Sequence, residues 1–397
     1  MEKIADAARL AHEERTWAEI NLDALAYNMR GIRSITKPDA KIMAVVKADA
    51  YGHGVAECAG TLLENGADRF AVATLDEALE LRQVFEDVPI MILGSSMSGE
   101  AEAIIANGII ANVYTVDFAK ELSDTAVRLG RTAKVHIKLD TGMSRIGFVV
   151  TDGDNSGIID AIERIYAMPG LEVEGIFSHF STSDEADEGY TRLQFKRFMK
   201  ICDALDGRGI RIPIKHICNS AGIMMYPEYH LDMVRPGIIL YGMYPSDEVD
   251  KSRLDLKYVM SLKSRVTYVK SIEPGRGISY GKKYIAGGEE TVATVPIGYA
   301  DGYSRMLSGR AEIAVGGKRF RVAGRICMDQ CMIIVTSGNN IKRGDEALIF
   351  GEGAVTVDDV AAWLGTINYE ITCMLSRRIP RVYKRSGKTV KVLDYLL

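Results

Sequence analysis

A lysine stands where a strongly apolar run of the sequence ends. Ala44–Val46 is typical of a buried strand, and Lys47 follows it directly, with Ala48 behind it. Because its neighbours are apolar, we expect the Lys47 ammonium to be screened from water and to lose its proton easily. A neutral lysine amine can form a Schiff base with a carbonyl compound. A lysine after a strand is also commonly a solvated loop residue, so Lys47 alone does not identify a chemistry.

Arg235 is a second charged residue inside an apolar run, MVRPGIILYG. A guanidinium keeps its proton, so a buried Arg235 needs acceptors. Behind it, Gly237 and Ile238 offer backbone N–H groups, and Ser220 offers a hydroxyl nearby. Such groups hold phosphate near the last strands of barrel proteins. A lysine, a phosphate cradle and an arginine that faces a ring together suggest pyridoxal 5′-phosphate as the cofactor.

Further polar side chains follow four of the predicted strands. They are Tyr51 and His53 after the first strand, Lys138, Asp140 and Arg145 after the fifth, Ser178 and His179 after the sixth, and His216, Asn219 and Ser220 after the seventh. Since the carboxyl ends of barrel strands meet at one mouth, we expect one site there. Each histidine could equally be a hydrogen-bonded core residue. Neither HExxH nor closely spaced Cys and His ligands occur, which argues against a metal site.

Residues 1–255 alternate short β-branched runs with helical patterns, as βα units do. The eight runs begin at Lys41, Arg69, Val88, Ile109, Ala133, Leu171, Ile212 and Met233. Between the runs, Asp117 is predicted to cap a helix that ends at Gly130. The pattern predicts an α/β fold with an N-terminal (β/α)₈ TIM-like barrel. An open doubly wound sheet is the alternative, weakened by the lack of GxGxxG after the first strand.

Residues 256–397 are predicted to form a second, mostly β domain. The helical period largely disappears from about Arg265 onward. Gly316-Gly317 between AEIAV and KRFRV indicates a β-hairpin. A short helix fits Val357–Leu364.

The composition limits the kind of partner. Lysine and arginine number 49 against 53 acidic residues, a net charge of −4 over 397 residues, which gives no electrostatic reason to expect nucleic acid or an anionic membrane. No apolar run approaches the ~20 residues of a membrane span. The charged start MEKIADAARLAHEERT lacks the apolar core of a secretory signal. We therefore expect a cytoplasmic protein that acts on a small molecule.

Nine motifs, in order along nearly the whole chain, are similar to those of the alanine racemases, bacterial enzymes that use pyridoxal 5′-phosphate. They are AVVKADAYGHG, KLDTGMSRIGF, HFSTSDEAD, HICNSAGI, VRPGIILYG, GISYGKKY, VPIGYADGYSR, GRICMDQCMI and TINYEITCMLSRRIPR. The resemblance implies an isomerase that interconverts L-alanine and D-alanine and so supplies D-alanine for peptidoglycan. It also implies a head-to-tail homodimer with shared active sites, in which the extreme N-terminus packs on the β domain.

The same resemblance implies a role for individual residues. Lys47 would form the internal aldimine and act as one base, and Tyr280 of the partner subunit would act as the other. The cofactor would be held by Tyr51, His179, Asn219, Ser220, Arg235, Gly237, Ile238 and Tyr369, with Arg235 facing the pyridine nitrogen. Arg145 and the backbone N–H of Met328 would bind the substrate carboxylate. Lys138, carbamylated in several members, would support Arg145. The entrance would be lined by Tyr299, Tyr369, Arg305, Arg325 and Asp329.

Other interpretations stay open. A serine or broad-specificity racemase, or an ornithine-type decarboxylase, would use the same cofactor, although Tyr369 and the short CMDQ segment favour alanine. A non-enzymatic pyridoxal-phosphate-binding barrel would lack the β domain, so Tyr280 and Met328 argue against it. A metal-dependent barrel hydrolase would lose its activity to a chelator.

Overall fold

The computed structural model describes residues 15–397. Most of the charged start of the chain, and its predicted packing on the β domain, lie outside these residues. The described chain divides into two compact units. The barrel unit comprises Ala26–Ala50 and Val55–Leu256, and the β-rich unit comprises the described residues up to Leu25, Tyr51–Gly54 and Lys257–Leu397. Two stretches that the sequence prediction includes in the barrel domain, 15–25 and 51–54, therefore cluster with the β-rich unit.

Helices of the described chain lie mainly in the barrel unit. In chain order, α1 to α11 are Leu22–Ile35, Lys47–Gly52, Val55–Glu64, Leu75–Val84, Ala101–Ala106, Val116–Leu129, Ser156–Tyr166, Gly189–Gly207, Ser220–Met225, Val357–Leu364 and Asn368–Cys373. Within residues 15–397, none of these is long and apolar enough to cross a membrane.

Strands occur in both units. In chain order, β1 to β21 are Thr16–Asn21, Lys41–Val45, Arg69–Val72, Ile90–Ile92, Ala111–Val113, Ala133–Asp140, Phe148–Val149, Leu171–Phe177, Ile214–His216, Met233–Val234, Met260–Arg265, Tyr268–Ile272, Gly277–Ile278, Tyr284–Ile285, Glu290–Val295, Glu312–Val315, Lys318–Arg321, Cys331–Val335, Glu346–Phe350, Arg381–Arg385 and Lys388–Leu393.

Eight parallel strands close into a barrel. β10-β2-β3-β4 form one run and β5-β6-β8-β9 the other. A bridge between Met91 and Ile110 joins β4 to the stretch before β5. The circle closes between β9 and β10, where Asp232 N donates to Lys215 O at 3.1 Å. Each strand comes from one of the eight predicted runs, so the (β/α)₈ prediction is confirmed and the open sheet is excluded.

The helix α6 shows where the local prediction failed. Its N-cap is Thr115, whose hydroxyl accepts from Phe118 N at 3.3 Å, and Asp117 lies in the first turn instead. The prediction that Asp117 is the cap was wrong because threonine and aspartate both suit that position. The predicted stop at Gly130 is confirmed, since its φ of 60° is the left-handed conformation that ends helices.

The helical turn α2 is left-handed. Ala48, Asp49, Ala50 and Tyr51 have φ values of 52°, 54°, 54° and 55°. Left-handed helix costs an L-residue roughly 1–2 kcal/mol, and none of these four is glycine. The chain therefore bears strain immediately after Lys47, and other contacts must hold it.

The β-rich unit is built on a seven-stranded sheet in the order β17-β16-β19-β11-β1-β20-β21. β1 enters this sheet by pairing antiparallel with β11 and parallel with β20. The hairpin of β16 and β17 turns at Gly316-Gly317, whose φ values are 57° and 76°, as a two-residue turn of this hand requires. The hairpin, the helix Val357–Leu364 and the mostly β character of this region are thus confirmed.

Candidate active site

Lys47 leaves the barrel at the end of β2, and a carboxylate holds the turn behind it. Glu77 on α4 accepts from Ala48 N and from Ala73 N, both at 2.7 Å. Asp49 accepts from Val55 N at 2.7 Å. Glu77 thus holds the start of the left-handed turn, and Asp49 ties the turn to the helix that follows, so both contacts restrain the backbone next to Lys47.

Arg235 lies in the barrel mouth with only 3% of its surface exposed. Its Nη1 donates to His216 Nδ1 at 2.7 Å, and its Nη2 donates to Ser178 O at 2.7 Å, Ile217 O at 3.0 Å and His179 Nδ1 at 3.3 Å. Burial lowers the pKa of Arg235 to about 10, so it stays charged at neutral pH. Within residues 15–397, Nε donates to no protein group. The Nε–H of a fixed guanidinium is thus left for a ligand.

Lys138 points into the barrel from β6. Its side chain is buried, and Nζ lies 4.4 Å from the centroid of the Phe177 ring. Burial lowers the pKa of Lys138 well below its usual value, and the charges of Arg235 and Arg145 lower it further. The environment of Lys138 therefore favours loss of its proton more than water does. Phe177 also stacks on His216, with centroids 4.9 Å apart, and the sequence patterns alone did not single it out.

The loop after β6 positions the exposed Arg145. Asp140 accepts from Gly142 N at 2.9 Å and from Ser144 N at 3.0 Å, while Tyr190 donates to Gly142 O at 2.9 Å. Ser144 has a φ of 57°, so the loop depends on these contacts to keep its shape. The guanidinium consequently extends from a braced loop.

His179 shows that these cations converge. Its pKa lies well below the usual histidine value, first because of burial and then because of the positive charges of Arg235, Lys138, Arg145 and Lys47. Four predicted basic side chains therefore lie near enough to His179 to favour its neutral form, and one of them, Arg235, contacts it directly. A mouth with this excess of positive charge suits an anionic ligand.

A small cradle lies at the end of the last barrel strands. Gly237 N donates to Ser220 Oγ at 2.9 Å, and Asn219 caps α9 by accepting from Gly222 N at 2.9 Å. In the described chain, the backbone N–H of Ile238 donates to no protein group. Three of the residues predicted to hold the cofactor, Ser220, Gly237 and Ile238, thus lie together, with the Asn219 amide used for the cap and the Ile238 N–H left for an anion.

In the β-rich unit, Tyr280 projects from a tight turn and is 68% exposed. Its neighbours Ser279 and Gly281 both have positive φ, 62° and 70°. Ser279 Oγ donates to Arg325 O at 2.6 Å, which ties the turn to the next loop. The phenol is therefore an exposed group on a restrained backbone.

Met328 lies in that neighbouring loop and is 52% exposed. Its carbonyl accepts from Ala300 N at 3.0 Å, and Tyr299 N donates to Cys327 O at 3.1 Å. Within residues 15–397, the Met328 N–H donates to no protein group. Its neighbour Asp329 pairs with Arg378 at 2.9 Å.

Tyr51 and Tyr369 are also brought together in the β-rich unit. Their ring centroids are 6.2 Å apart. Tyr51 is buried, which raises its phenol pKa, and the neighbouring Cys373 raises it further. Arg305 opens a short helical turn, Arg305–Leu307, in the same unit. The predicted residues therefore form one set in each unit.

Comparisons with known proteins identify the family. The alanine racemase N-terminal domain model matches residues 20–245, and the C-terminal domain model matches residues 259–383. An alanine racemase of Clostridium tetani is 49% identical over 97% of this chain and 99% of its own length. The structure of alanine racemase from Clostridium difficile 630 aligns with a TM-score of 0.92 and 46% identity, over 96% of this chain and 99% of that one.

A more distant structure, alanine racemase from Bacillus anthracis with bound L-Ala-P, gives a TM-score of 0.90 at 36% identity, over 96% of this chain and 98% of that one. These relatives match both units of the described chain over nearly their whole length. Neither a barrel alone nor a different second domain would give that coverage. This chain therefore belongs to the alanine racemase family.

Proposed function

We propose that this protein interconverts L-alanine and D-alanine, with Lys47 and Tyr280 exchanging the α-proton on opposite faces of the substrate. The observation that carries the proposal is the barrel mouth, where Arg235 contacts His179 and the basic side chains of Lys47, Lys138 and Arg145 lie near it, in a chain of this family. The product D-alanine would serve peptidoglycan synthesis in the cytoplasm.

The residues of the mouth fit pyridoxal 5′-phosphate, the cofactor of this family. The Ile238 N–H and the Ser220 hydroxyl suit its phosphate, and the uncommitted Nε of Arg235 suits its ring nitrogen. Lys47 is the amine that would hold its aldehyde carbon. When bound, the cofactor withdraws electrons from the substrate and so acidifies the α-proton.

Two bases are needed because racemisation removes a proton from one face and returns one to the other. The Lys47 amine serves one face from the barrel. The Tyr280 phenol is exposed on a restrained turn, as suits a group that reaches into the site of a second chain. We therefore propose a homodimer in which each site is completed by the partner's tyrosine.

The substrate carboxylate would lie between Arg145 and the Met328 N–H. Lys138 supports this arrangement if its neutral amine adds CO₂, forming an N–C bond and releasing one proton. The resulting carbamate anion can accept from Arg145 and hold it in place. Intact-mass measurement at neutral and at acid pH tests this, because a carbamate is lost in acid.

Small substrates fit this proposal best. We propose that Tyr299, Tyr369, Arg305, Arg325 and Asp329 line the entrance and leave room for a methyl group. An apolar pocket rejects one added hydroxyl only weakly, so serine should be turned over slowly. Comparing turnover of L-alanine, L-serine and L-ornithine separates this function from a serine racemase and a decarboxylase.

A mixing experiment tests the two bases and the dimer together. Lys47→Ala and Tyr280→Ala should each be nearly inactive, yet dissociating and reassociating their mixture should restore activity. Half of the dimers would then be mixed, with one intact site of two, which gives roughly a quarter of the wild-type sites. If the mixture stays inactive while both variants fold and dimerise, the shared site is wrong.

Cofactor attachment is tested separately. A band near ~420 nm that borohydride abolishes, with the label recovered on Lys47, is expected of a lysine-bound cofactor. Recovery of the label on another lysine would contradict the assignment.

A further inference from the structure

A chain of buried polar groups runs from Arg235 into the barrel, away from the mouth. Arg235 Nη1 lies 2.7 Å from His216 Nδ1, and His216 Nε2 lies 2.8 Å from His136 Nδ1. His136 Nε2 lies 3.0 Å from Glu174 Oε2. Glu174 is held in turn by Arg69, through contacts of 2.5 and 3.2 Å. All five side chains are buried.

The two ends of this chain fix the position of every proton in it. Arg235 can only donate, so His216 Nδ1 must accept and the proton of His216 must lie on Nε2. His216 then donates to His136 Nδ1, which leaves the proton of His136 on Nε2. That N–H donates to Glu174, which accepts as a carboxylate. Both imidazoles are therefore neutral, and the three hydrogen bonds from Arg235 to Glu174 all point away from the mouth, while Arg69 donates to Glu174 from the other end.

Protonating either imidazole would break the chain. A second proton on His136 would lie on Nδ1 and would have to be accepted by His216 Nε2. The proton of His216 would then face the Arg235 N–H. Consistent with this, burial lowers the pKa of both histidines. Burial alone would raise the Glu174 pKa, but hydrogen bonds from His136 and Arg69 hold it below its usual range.

The backbone is shaped to place Glu174 there. β6 and β8 pair with a register shift, in which Val135 faces Val173 but His136 faces Gly175. Glu174 is thus the extra residue of a β-bulge, and bulges redirect side chains. A Cβ at Gly175 would overlap the His136 ring, so this position needs glycine. The two strands therefore leave room for the imidazole and direct the carboxylate to it.

We propose that Glu174 is a positioning residue of the active site, which fixes the tautomers of His136 and His216 and thereby holds Arg235 with its Nε towards the cofactor. This rests on the function proposed above for Arg235. The opposing view is that Glu174 and Arg69 form an ordinary stabilising ion pair at the far end of the barrel.

The two views differ in what a substitution at position 174 does to His216. Glu174→Met leaves the His136 Nε2–H without its acceptor, so His136 and His216 should no longer be held in one tautomer, and the contact of His216 with Arg235 should weaken. Glu174→Gln keeps an acceptor oxygen and should keep both tautomers. Asp68→Asn is the matched control, because Asp68 accepts from Ile42 N at 2.7 Å at the same end of the barrel but is outside the chain.

Nitrogen-15 NMR of the histidine rings reads the tautomers directly, in the full chain with and without cofactor. Wild-type His136 and His216 should both be neutral with the proton on Nε2, and Glu174→Met should change the His216 signals while Asp68→Asn does not. The kcat for alanine should fall about tenfold in Glu174→Met, as for one lost buried hydrogen bond, at little change in KM, and Glu174→Gln should restore most of it.

Three results would overturn the proposal. One is a wild-type spectrum in which His136 or His216 is charged or carries its proton on Nδ1. This result does not depend on whether any variant folds. Another is a folded Glu174→Met whose His216 signals match wild type. The third is an equal loss of kcat in the Gln and Met variants. Spectra recorded without cofactor do not depend on racemisation. A negative result for the role of Glu174 can therefore be distinguished from failure of the proposed function.

Discussion

In the barrel unit the predicted site groups Arg235 and Lys138 are buried, whereas Tyr280 and Met328, predicted site groups of the β-rich unit, are exposed on tight turns. Arg235 and Lys138 are 3% and 4% exposed, against 68% for Tyr280 and 52% for Met328. Burial sets the protonation of the barrel groups before any ligand arrives. Tyr280 and Met328 of the β-rich unit are instead held by a restrained backbone. Changes in the barrel should therefore alter protonation and stability, and changes in the β-rich turns should alter catalysis alone.

The largest expected effect on activity comes from a substitution in the β-rich unit, at Tyr280. Tyr280→Phe removes only a hydroxyl from an exposed ring, so we expect stability to stay unchanged while racemisation slows about 10³-fold, as for loss of a general base. Exchange of the α-proton with deuterated water should persist for one enantiomer, because Lys47 remains. Loss of exchange for both enantiomers would show that Tyr280 is needed for proton transfer on both faces of the substrate.

Arg235→Glu tests the barrel side. It replaces a donor by an acceptor at the mouth, so a protonated ring nitrogen becomes favoured and misplaced protonation should convert cofactor to its pyridoxamine form. We expect racemisation to fall about 10²-fold and pyridoxamine phosphate to accumulate with turnover. If no more of it forms than in wild type, the arginine does not control this side reaction.

Acid should weaken the barrel unit more than the β-rich unit. His136 and His216 are buried with lowered pKa values, so the unfolded chain binds more protons below pH 6.5 and stability falls as the pH drops. Each imidazole can contribute up to about 1.4 kcal/mol per pH unit. In its described part the β-rich unit contains one histidine, His53 in Tyr51–Gly54, and residues 257–397 contain none.

Two probes in urea titrations at pH 7.5 and 5.5 separate the units. Far-ultraviolet circular dichroism follows the helices, most of which lie in the barrel unit. Both tryptophans, Trp17 and Trp363, lie in the β-rich unit, so their fluorescence follows that unit. The dichroism midpoint should move further, and equal shifts would mean that the units unfold together.

The smallest effect concerns strain in the turn behind Lys47. Ala48→Gly should relieve roughly 1–2 kcal/mol of left-handed strain, offset by about 1 kcal/mol of added freedom in the unfolded chain. Ala103→Gly is the control in the right-handed helix α5 and should destabilise by about 1 kcal/mol. If both variants lose stability equally, the turn carries no strain.

The sequence predicted what depends on local pattern. Eight apolar runs marked the barrel strands, and a pair of glycines marked a hairpin, because burial and turn conformation select those residue types directly. Lys47 and Arg235 stood out because a charge inside an apolar run is rare.

Other features depend on contacts between distant residues and left no such mark. Lys47–Gly52 contains mainly residues that also suit ordinary helix, so its left-handed turn was not predicted. The bulge at Glu174 exists only in the pairing of two strands. Thr16–Asn21 was missed because it is a strand only by virtue of its partners β11 and β20.

Tyr51–Gly54 carries a consequence for dissecting the molecule. Gly52 O accepts from Arg381 at 2.9 Å, and Gly52 lies so close to Thr372 that no larger residue would fit. A truncated protein that ends at residue 255 would lack Thr372 and Arg381. It would therefore lose the contacts that hold Gly52 in the loop after Lys47. Residues 1–255 therefore do not hold Lys47 and its turn as an independent module, and circular permutation or fusion at that boundary should disturb the turn without altering the barrel strands.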